Sequence, residues 1–458
     1  VASMTIGQAV AWLAEQDPDA VALRTDREVL TRRELDLATN RIARAWIAHD
    51  LGPDDVVAVA LPNGADLVLA CVAAWKAGAS VMPVSPRLGP VEREAVLDLA
   101  EPALLVDEPG GRAEGWDDAP LPPLAAASWK QPLSSGSTGT PRIIRSTDPA
   151  TVDPAVPFAP FVPHRAVQLV PGPLFHAAPF VYAMRGLMTG HEVIVMARAD
   201  PAEWLRLVAE HRVTWSMLVP SLMQQVLDVP GREDVDVSSL ESVLHLGARC
   251  PEPLKRAWID WLGPERVVEL YAGTEAQGLV SIGGADWLAH PGSVGRPVGD
   301  TEVRVVRPDG SDAHPGEVGE IRMRRSRATY TLVGAQPDVL DGWHTLGDAG
   351  WLDADGWLFV ADRIVDVIRT GGLEVRPADV EAVLDAHPAV RSSVVVGRDD
   401  PELGQRVHAV VECDQVSLDH LAHWARTRLE PHQRPHTWEL VTQTLRDDTG
   451  KVRRHRWR

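Results

Sequence analysis

The densest run of residues able to bind phosphate is Ser134-Ser-Gly-Ser-Thr-Gly-Thr-Pro-Arg142. Gly136 and Gly139 leave backbone amides free to close around phosphate oxygens. The hydroxyls of Ser134, Ser135, Ser137 and Thr138 add donors, and Arg142 adds charge. A flexible linker has a similar composition, but Pro141-Arg142 and the apolar Ile143-Ile144 that follow are unlike one. The run is not a G-x-x-x-x-G-K-[ST] loop. Glu275, after Gly273-Thr274, offers the hard oxygen that Mg²⁺ takes, although by itself it reads as a surface acid after a turn. Asp348 by itself reads as a turn residue, since Asp353, Asp355 and Asp362 also mark turns nearby. Lysine is rare: Lys76, Lys130, Lys255 and Lys451 are four of 45 basic residues. A lysine at 451, just after Thr449-Gly450 in arginine-rich sequence, suggests a need for a compact charge on a flexible stem.

Such groups need a scaffold, and the chain alternates helical and strand patterns. Residues 31–48 carry apolar positions at helical spacing behind a capping Thr31. A buried strand is predicted at 56–61, a helix at 66–77 and a strand at 80–84. Residues 107–132 read as loop. Strands at 193–196, 215–219, 243–246 and 267–270 are separated by helices at 201–211 and 251–262. This alternation predicts layered α/β sheets with parallel strands. Over 292–360, Gly, Pro and Asp punctuate short alternating runs, predicting an antiparallel, barrel-like section. Beyond Asp362 a small α+β module follows, with helices at 377–387 and 418–429 and strands at 393–396, 407–411 and 437–441. The fold class is therefore α/β, with a large N-terminal domain (1–361) and a small C-terminal domain (362–458).

With 64 acidic and 45 basic side chains, the formal charge is −19, which disfavours nucleic acid as a partner. The one dense basic patch is residues 451–458, which fits a solvated end equally well. The cysteines, Cys71, Cys250 and Cys413, show neither metal nor disulfide spacing, as in a reducing compartment. The apolar stretch 56–75 is broken by Pro62, Asn63, Gly64 and Asp66, so no membrane span is predicted. A cytoplasmic enzyme is expected.

Taken in order, the motifs resemble those of the adenylate-forming superfamily, which contains acyl- and aryl-CoA synthetases, peptide-synthetase adenylation domains and beetle luciferases. The 134–142 run resembles its phosphate loop. Leu61-Pro-Asn-Gly through Ala77-Gly-Ala-Ser-Val-Met-Pro83 resembles an early structural motif, and Phe175-His176-Ala-Ala-Pro-Phe180 the substrate-side motif. Leu246-Gly-Ala-Arg249 and Tyr271-Ala-Gly-Thr-Glu275 resemble the segments that hold adenine and the acyl group. Trp343-His-Thr-Leu-Gly-Asp348 resembles the ribose segment, Asp362-Arg363 the hinge, Thr370-Gly-Gly-Leu-Glu-Val-Arg-Pro377 the thiolation loop, and Thr449-Gly-Lys451 the C-terminal lysine motif.

The resemblance implies ATP-dependent activation of a carboxylic acid to an acyl-adenylate, then transfer to a thiol, with ATP, Mg²⁺ and CoA required. Lys451, Thr138, Glu275 and His176 would be catalytic, and Glu275 the metal ligand. Nucleotide would be held by Ser134 to Gly139, Arg142, Gly247, Ala248, Arg249, Glu269, Leu270, Tyr271, Thr274, Asp348, Val360 and Arg363. The acyl pocket would take His176, Ala177, Phe180, Ala272 and Gly273. CoA would meet Gly371, Gly372 and Leu373, and a mobile lid would hinge at Asp362. Four departures stand out: Arg142 where the family usually has Lys, Leu346 within the ribose motif, Glu374 for a frequent Asn, and Ile364-Val365 for a common basic pair. His176 occupies the place where amino-acid-activating relatives carry an acid, so an unpaired substrate ammonium would be costly. An apolar acyl or aryl acid is expected. The readings that remain are a CoA ligase, an enzyme loading a carrier-protein pantetheine, and an inactive nucleotide-binding paralogue. A homodimer is compatible with all three.

Overall fold

The computed structural model describes residues 3–134, 142–414, 416–446, 452 and 454–458. Its largest sheet has nine strands. Six are parallel neighbours, in the order Val267–Ala272, Ser242–His245, Trp215–Leu218, Val167–Val170, Glu192–Val195, Val21–Arg24. Antiparallel strands extend it at both edges: Leu279–Gly283 and Arg296–Pro297 on one side, Val29–Thr31 on the other. Helices Ala177–Met188, Pro201–His211, Pro220–Leu227 and Glu252–Leu262 connect the parallel strands. Each helix buries an apolar face, so the inner strands are apolar on both sides, as parallel sheets require. The carboxyl ends of Ser242–His245 and Val267–Ala272 lead into the 246–249 and 271–275 motifs. Ligands of open α/β sheets sit outside such ends.

A second parallel sheet pairs Ser80–Pro83, Val56–Val59 and Leu104–Val106. Helix Ala65–Lys76 lies in the core shared by the layers, with every side chain buried except that of Asp66. Trp75, Trp129 and Phe180 meet there at ring separations of 6.0 to 6.1 Å, and the Trp75 indole donates to the Trp129 carbonyl at 2.7 Å. The antiparallel section expected over 292–360 is a five-stranded sheet built on Trp343–Leu352, which Gly319–Arg324, Val339–Leu340 and Leu358–Arg363 flank.

After residue 367 the chain builds a separate core. The long hairpin of Val390–Asp400 and Gly404–Cys413 packs helices Pro377–Asp385 and Leu418–Arg426 through Val380, Leu384, Val395, Val407 and Leu421. The C-terminal end is not simply solvated. Val452 and Trp457 pack against a cluster of Val394, Val396, Val410 and Leu445.

Two buried lysines mark how charge is tolerated inside. Lys76 ends its helix in the core, and its Nζ donates to Asp36 Oδ1 (2.6 Å), the Asp36 carbonyl (2.9 Å) and Asn40 Oδ1 (2.7 Å). Burial draws its pKa down to about 8 against the attraction of Asp36. Lys255 likewise lies 2.5 Å from Glu269 Oε2. Removing one partner of such a pair strands a charge, whereas removing both leaves apolar packing. Asp36→Ala should therefore destabilise the protein by about 3–5 kcal/mol in urea unfolding. Asp36→Leu combined with Lys76→Met should lie close to wild type; an equal loss in both variants would mean the pair is not what the helix depends on.

Candidate active site

The expected phosphate loop is carried by a hairpin. Leu133–Ser134 pairs antiparallel with Arg142–Ser146, with Ser134 opposite Arg142. Residues 135–141, including Ser135, Gly136, Ser137, Thr138 and Gly139, lie outside the described residues. The second hairpin strand pairs on its other edge with Tyr330–Leu332. Just before that strand, the Thr329 hydroxyl donates to the Glu275 carbonyl at 2.9 Å. One residue on, the Tyr330 hydroxyl lies 3.1 Å from His344 Nδ1. The short strand at 330–332 thus ties together the hairpin, the Glu275 turn and the strand bearing Asp348. Burial pushes the Tyr330 phenol up to about 12; Glu275 and Asp338 add to the shift and Arg142 opposes it. The stems of the 134–142 run and Glu275 therefore converge on one place.

The Glu275 turn is tight. Ala276 adopts φ +53°, and its amide donates to the Gly273 carbonyl at 3.0 Å. A Cβ at Gly273 would fall 2.4 Å from Leu346 Cδ2 and 2.8 Å from Glu275 Oε2, so any larger residue would push the ends of both side chains aside. Leu346, a departure at the sequence level, packs against this glycine. Beneath lies Lys130, whose ammonium burial lowers to about 8; Arg185 adds to the shift, and Asp148 and Glu275 offset part of it.

Asp348 is buried between two donors. The Tyr271 hydroxyl donates to Oδ2 at 2.7 Å and Arg363 Nε lies 3.2 Å from Oδ1. Burial, then Asp348 itself, pushes the Tyr271 phenol well up, so it stays a donor. Asp348 and Arg363 are also register partners between Trp343–Leu352 and Leu358–Arg363. Val360 lies in that ladder opposite Gly350. Gly247 (φ +90°) and Arg249 are exposed at the end of Ser242–His245, with Ala248 half-buried.

Two expected nucleotide contacts face elsewhere. The Glu269 carboxylate is buried against Lys255, and burial raises its pKa despite that lysine. Leu270 packs into an apolar cluster with Tyr182, Trp215, Met217 and Leu244. Position along the strand explains both: Glu269 and Leu270 are buried where the sheet is covered on each side, whereas Tyr271 and Ala272 at its carboxyl end are only half-buried.

The acyl-side motif begins where Asn63 staples three loops. Its Nδ2 donates to the carbonyls of Gly172 (3.0 Å) and Met196 (2.9 Å), and its Oδ1 accepts from the Leu174 amide (2.8 Å). His176 then stands at the N-cap of Ala177–Met188, its ring 4.5 Å from that of Phe175. Ala177 is half-buried in the first turn, and Ala178 faces the cluster that includes Phe158, Phe161, Tyr182, Trp215, Leu270 and Ala272. Phe180 does not. It is fully buried and stacks on Trp129, because its helical position points away from the sheet motif. The aromatic wall actually present comes from Phe158, Phe161, Tyr182 and Trp215. The sequence motifs do not reach these residues: Phe158 and Phe161 lie in a connection, Trp215 in a strand, and Tyr182 on helix Ala177–Met188 two residues past the Phe175–Phe180 motif.

Asp362 lies in the ladder opposite Ala349, and its Oδ2 accepts from the Ala378 amide at 2.7 Å, capping helix Pro377–Asp385. Gly371 (φ +57°) and Gly372 (φ +81°) form the two-residue turn between Ile368–Thr370 and Leu373–Val375, with Leu373 exposed. Lys451 lies outside the described residues. Among the described residues no group of three or more His, Cys, Asp or Glu could hold a metal alone. A single carboxylate such as Glu275 suits a Mg²⁺ shared with substrate phosphates, an ion usually held by one or two carboxylates.

Comparison with known proteins gives a family model described as AMP-binding enzyme, matching residues 10–128 and 132–330, and one described as AMP-binding enzyme C-terminal domain, matching 379–451. A feruloyl-CoA synthase from Amycolatopsis sp is 31% identical over 96% of this chain and 95% of that protein. A fatty acid–[acyl-carrier-protein] ligase from Streptomyces coeruleorubidus is 27% identical over 99% and 96%. The solved o-succinylbenzoate CoA synthetase from Bacillus subtilis, in complex with its acyl-adenylate intermediate, superposes with TM-score 0.85 at 23% identity, covering 100% and 98% of the two chains.

If the Thr329 hydroxyl fastens the Glu275 turn, Thr329→Val should loosen it without disturbing the strands. The amides of Ala276 and Gln277 should exchange with deuterium about fivefold faster, the worth of roughly one hydrogen bond. Unchanged exchange there would show the turn is held otherwise.

Proposed function

The chain belongs to the AMP-binding enzyme family, and from that premise we propose that it is an acid–thiol ligase that works through an acyl-adenylate. In the first half-reaction a carboxylate oxygen forms a bond to the α-phosphorus of ATP, the bond to pyrophosphate breaks, and acyl-AMP results. In the second, a thiolate attacks the acyl carbon and AMP leaves with the electron pair of the broken acyl–oxygen bond. Relatives named as CoA ligases at 28–31% identity support CoA as the thiol.

The observation that carries the reading is the convergence of the 134–142 hairpin stems, the Glu275 turn and the Tyr271–Asp348–Arg363 chain on one place. Phosphoryl transfer asks mainly for positioning and for charge to meet the oxygens on which charge develops. In this reading Asp348 accepts both ribose hydroxyls, held in aim by Tyr271 and Arg363. The hairpin loop with Thr138, together with Arg142 and Thr274, cradles the phosphates. Gly247 to Arg249 flank the adenine. Glu275 would hold Mg²⁺, which when bound neutralises phosphate charge. Lys451 brings a further cation for adenylation. The unit beyond Asp362 then turns and presents the Gly371-Gly372 turn to the thiol. The apolar cluster of Phe158, Phe161, Tyr182, Trp215 and Ala272, to which Ala178 of the acyl-side motif also belongs, suits an aryl, alicyclic or fatty acid. The relative named as a fatty acid–[acyl-carrier-protein] ligase supports a second reading, in which a carrier pantetheine supplies the thiol. The rate at which free CoA or holo carrier depletes preformed adenylate decides between them.

The direct test is a panel of carboxylic acids with ATP and Mg²⁺, read by pyrophosphate exchange and, with CoA added, by mass. Exchange with no acid would point to an inactive paralogue. Asp348→Ala should raise the KM for ATP about 10- to 100-fold, the loss of hydrogen bonds to a charged acceptor. An unchanged KM would displace the ribose site. Lys451→Ala should slow adenylation about 100- to 1,000-fold, as loss of a charge-stabilising donor does, while leaving thioester formation from supplied acyl-adenylate largely intact. Equal loss of both half-reactions would refute the two-orientation cycle.

A further inference from the structure

The basic C-terminal end holds an arginine that is deeply engaged. Arg454 grips both oxygens of Glu381: Nη1 pairs with Oε1, and Nη2 lies 3.0 Å from Oε2. Nη1 also donates to the Val395 carbonyl at 2.7 Å, and Nε lies 3.2 Å from Asp366 Oδ2. Arg458 closes on the other oxygen of the same aspartate, Nη2 to Oδ1 at 2.7 Å. The side chains of Arg454, Glu381 and Asp366 are 17%, 11% and 14% exposed, so these charges meet largely out of water.

The cluster links distant parts of the chain. Asp366 ends the helical turn Ile364–Asp366, four residues past Asp362. Glu381 sits on helix Pro377–Asp385, whose first turn Asp362 caps, and its Oε1 also accepts from the Val395 amide at 2.7 Å. Apolar side chains of similar volume would anchor a chain end as firmly as buried charges do. A guanidinium fork adds a fixed direction and register, because two parallel bonds to a carboxylate admit one orientation. Arg454 lies three positions past Lys451, a tether of at most about 11 Å when extended.

We propose that Arg454 is a positioning residue for adenylation: with Asp366 and Glu381 it clamps the chain end that bears Lys451 to the segment leaving the hinge, so that the lysine turns with the hinge as one body. The clamp rests on the reading of Lys451 as the adenylation cation. It acts on that half-reaction alone, because the thiol step takes place with the lysine withdrawn.

The test uses the full-length enzyme with an acid it is shown to activate. Arg454→Met should lower acyl-adenylate formation about 10- to 100-fold, as a displacement of about 1 Å can. Thioester formation from supplied acyl-adenylate should hold, and the substitution should add nothing in a Lys451→Ala background. A merely structural arginine would weaken both half-reactions alike and add to Lys451→Ala; either result overturns the clamp. Should Arg454→Met fail to fold, Asp366→Asn carries the same test, because it leaves the Arg454–Glu381 fork in place. A wild type that adenylates normally beside an unimpaired Arg454→Met overturns the clamp alone. A wild type that adenylates no acid overturns the functional reading, and the clamp with it.

Discussion

The structure turns on one buried carboxylate held from two sides. Asp348 takes a hydrogen bond from Tyr271 and a charge contact from Arg363. The three residues come from different constructions: the carboxyl end of the large parallel sheet, the middle of the antiparallel sheet, and the last paired residue before the C-terminal unit. A carboxylate out of water is costly unless its oxygens are satisfied. The sheets must therefore approach closely enough for tyrosine and arginine to reach it together. That same approach brings Leu346 onto Gly273 and closes the Glu275 turn beneath. The site is thus a consequence of how two sheets are docked.

Lysine placement follows a related logic. Of the four lysines, Lys76, Lys130 and Lys255 are all buried. Lys76 and Lys255 each face a carboxylate at hydrogen-bond distance. An ammonium is a compact charge that fits where a planar guanidinium would not. Rarity of lysine therefore signals special surroundings throughout this chain, at the buried positions as at Lys451. What singles out Lys451 is its motif.

Motif order made the family, the layered α/β core and the small C-terminal module readable from sequence, because each rests on local pattern: parallel strands as apolar runs, a Gly-Gly turn, Pro at the start of 377–385. Side-chain direction was less accessible. The motif groups Glu269 and Leu270 with Tyr271 as ligand contacts, yet their places further from the strand's end bury one against Lys255 and the other in an aromatic cluster. The motif groups Phe180 with His176, yet its position on the helix aims it at Trp75 and Trp129. The aromatic cluster itself, from Phe158, Phe161, Tyr182 and Trp215, depends on tertiary packing that no short motif encodes. Charge alone leaves a solvated end as plausible as any other reading of the basic residues, because the acids that draw Arg454 inward lie 73 and 88 residues earlier in the sequence.

The position of Asp362 bears on how a turning unit could work. Its backbone is still within the ladder, opposite Ala349, and pairing ends one residue later at Arg363 opposite Asp348. A rotation at 362 must therefore redirect Arg363, the residue that also touches Asp348. Its side chain meanwhile caps helix Pro377–Asp385, so the first turn of that helix is fastened to the proposed point of rotation. Burial raises the Asp362 pKa although two backbone amides and Arg454 oppose it, which shows how enclosed this joint is. In the proposed cycle the grip on the nucleotide and the orientation of the C-terminal unit are then mechanically one variable. In that proposal the contact that steadies Asp348 for adenylation is altered by the movement that admits the thiol, and AMP would leave after the second step from a site whose hold has been loosened.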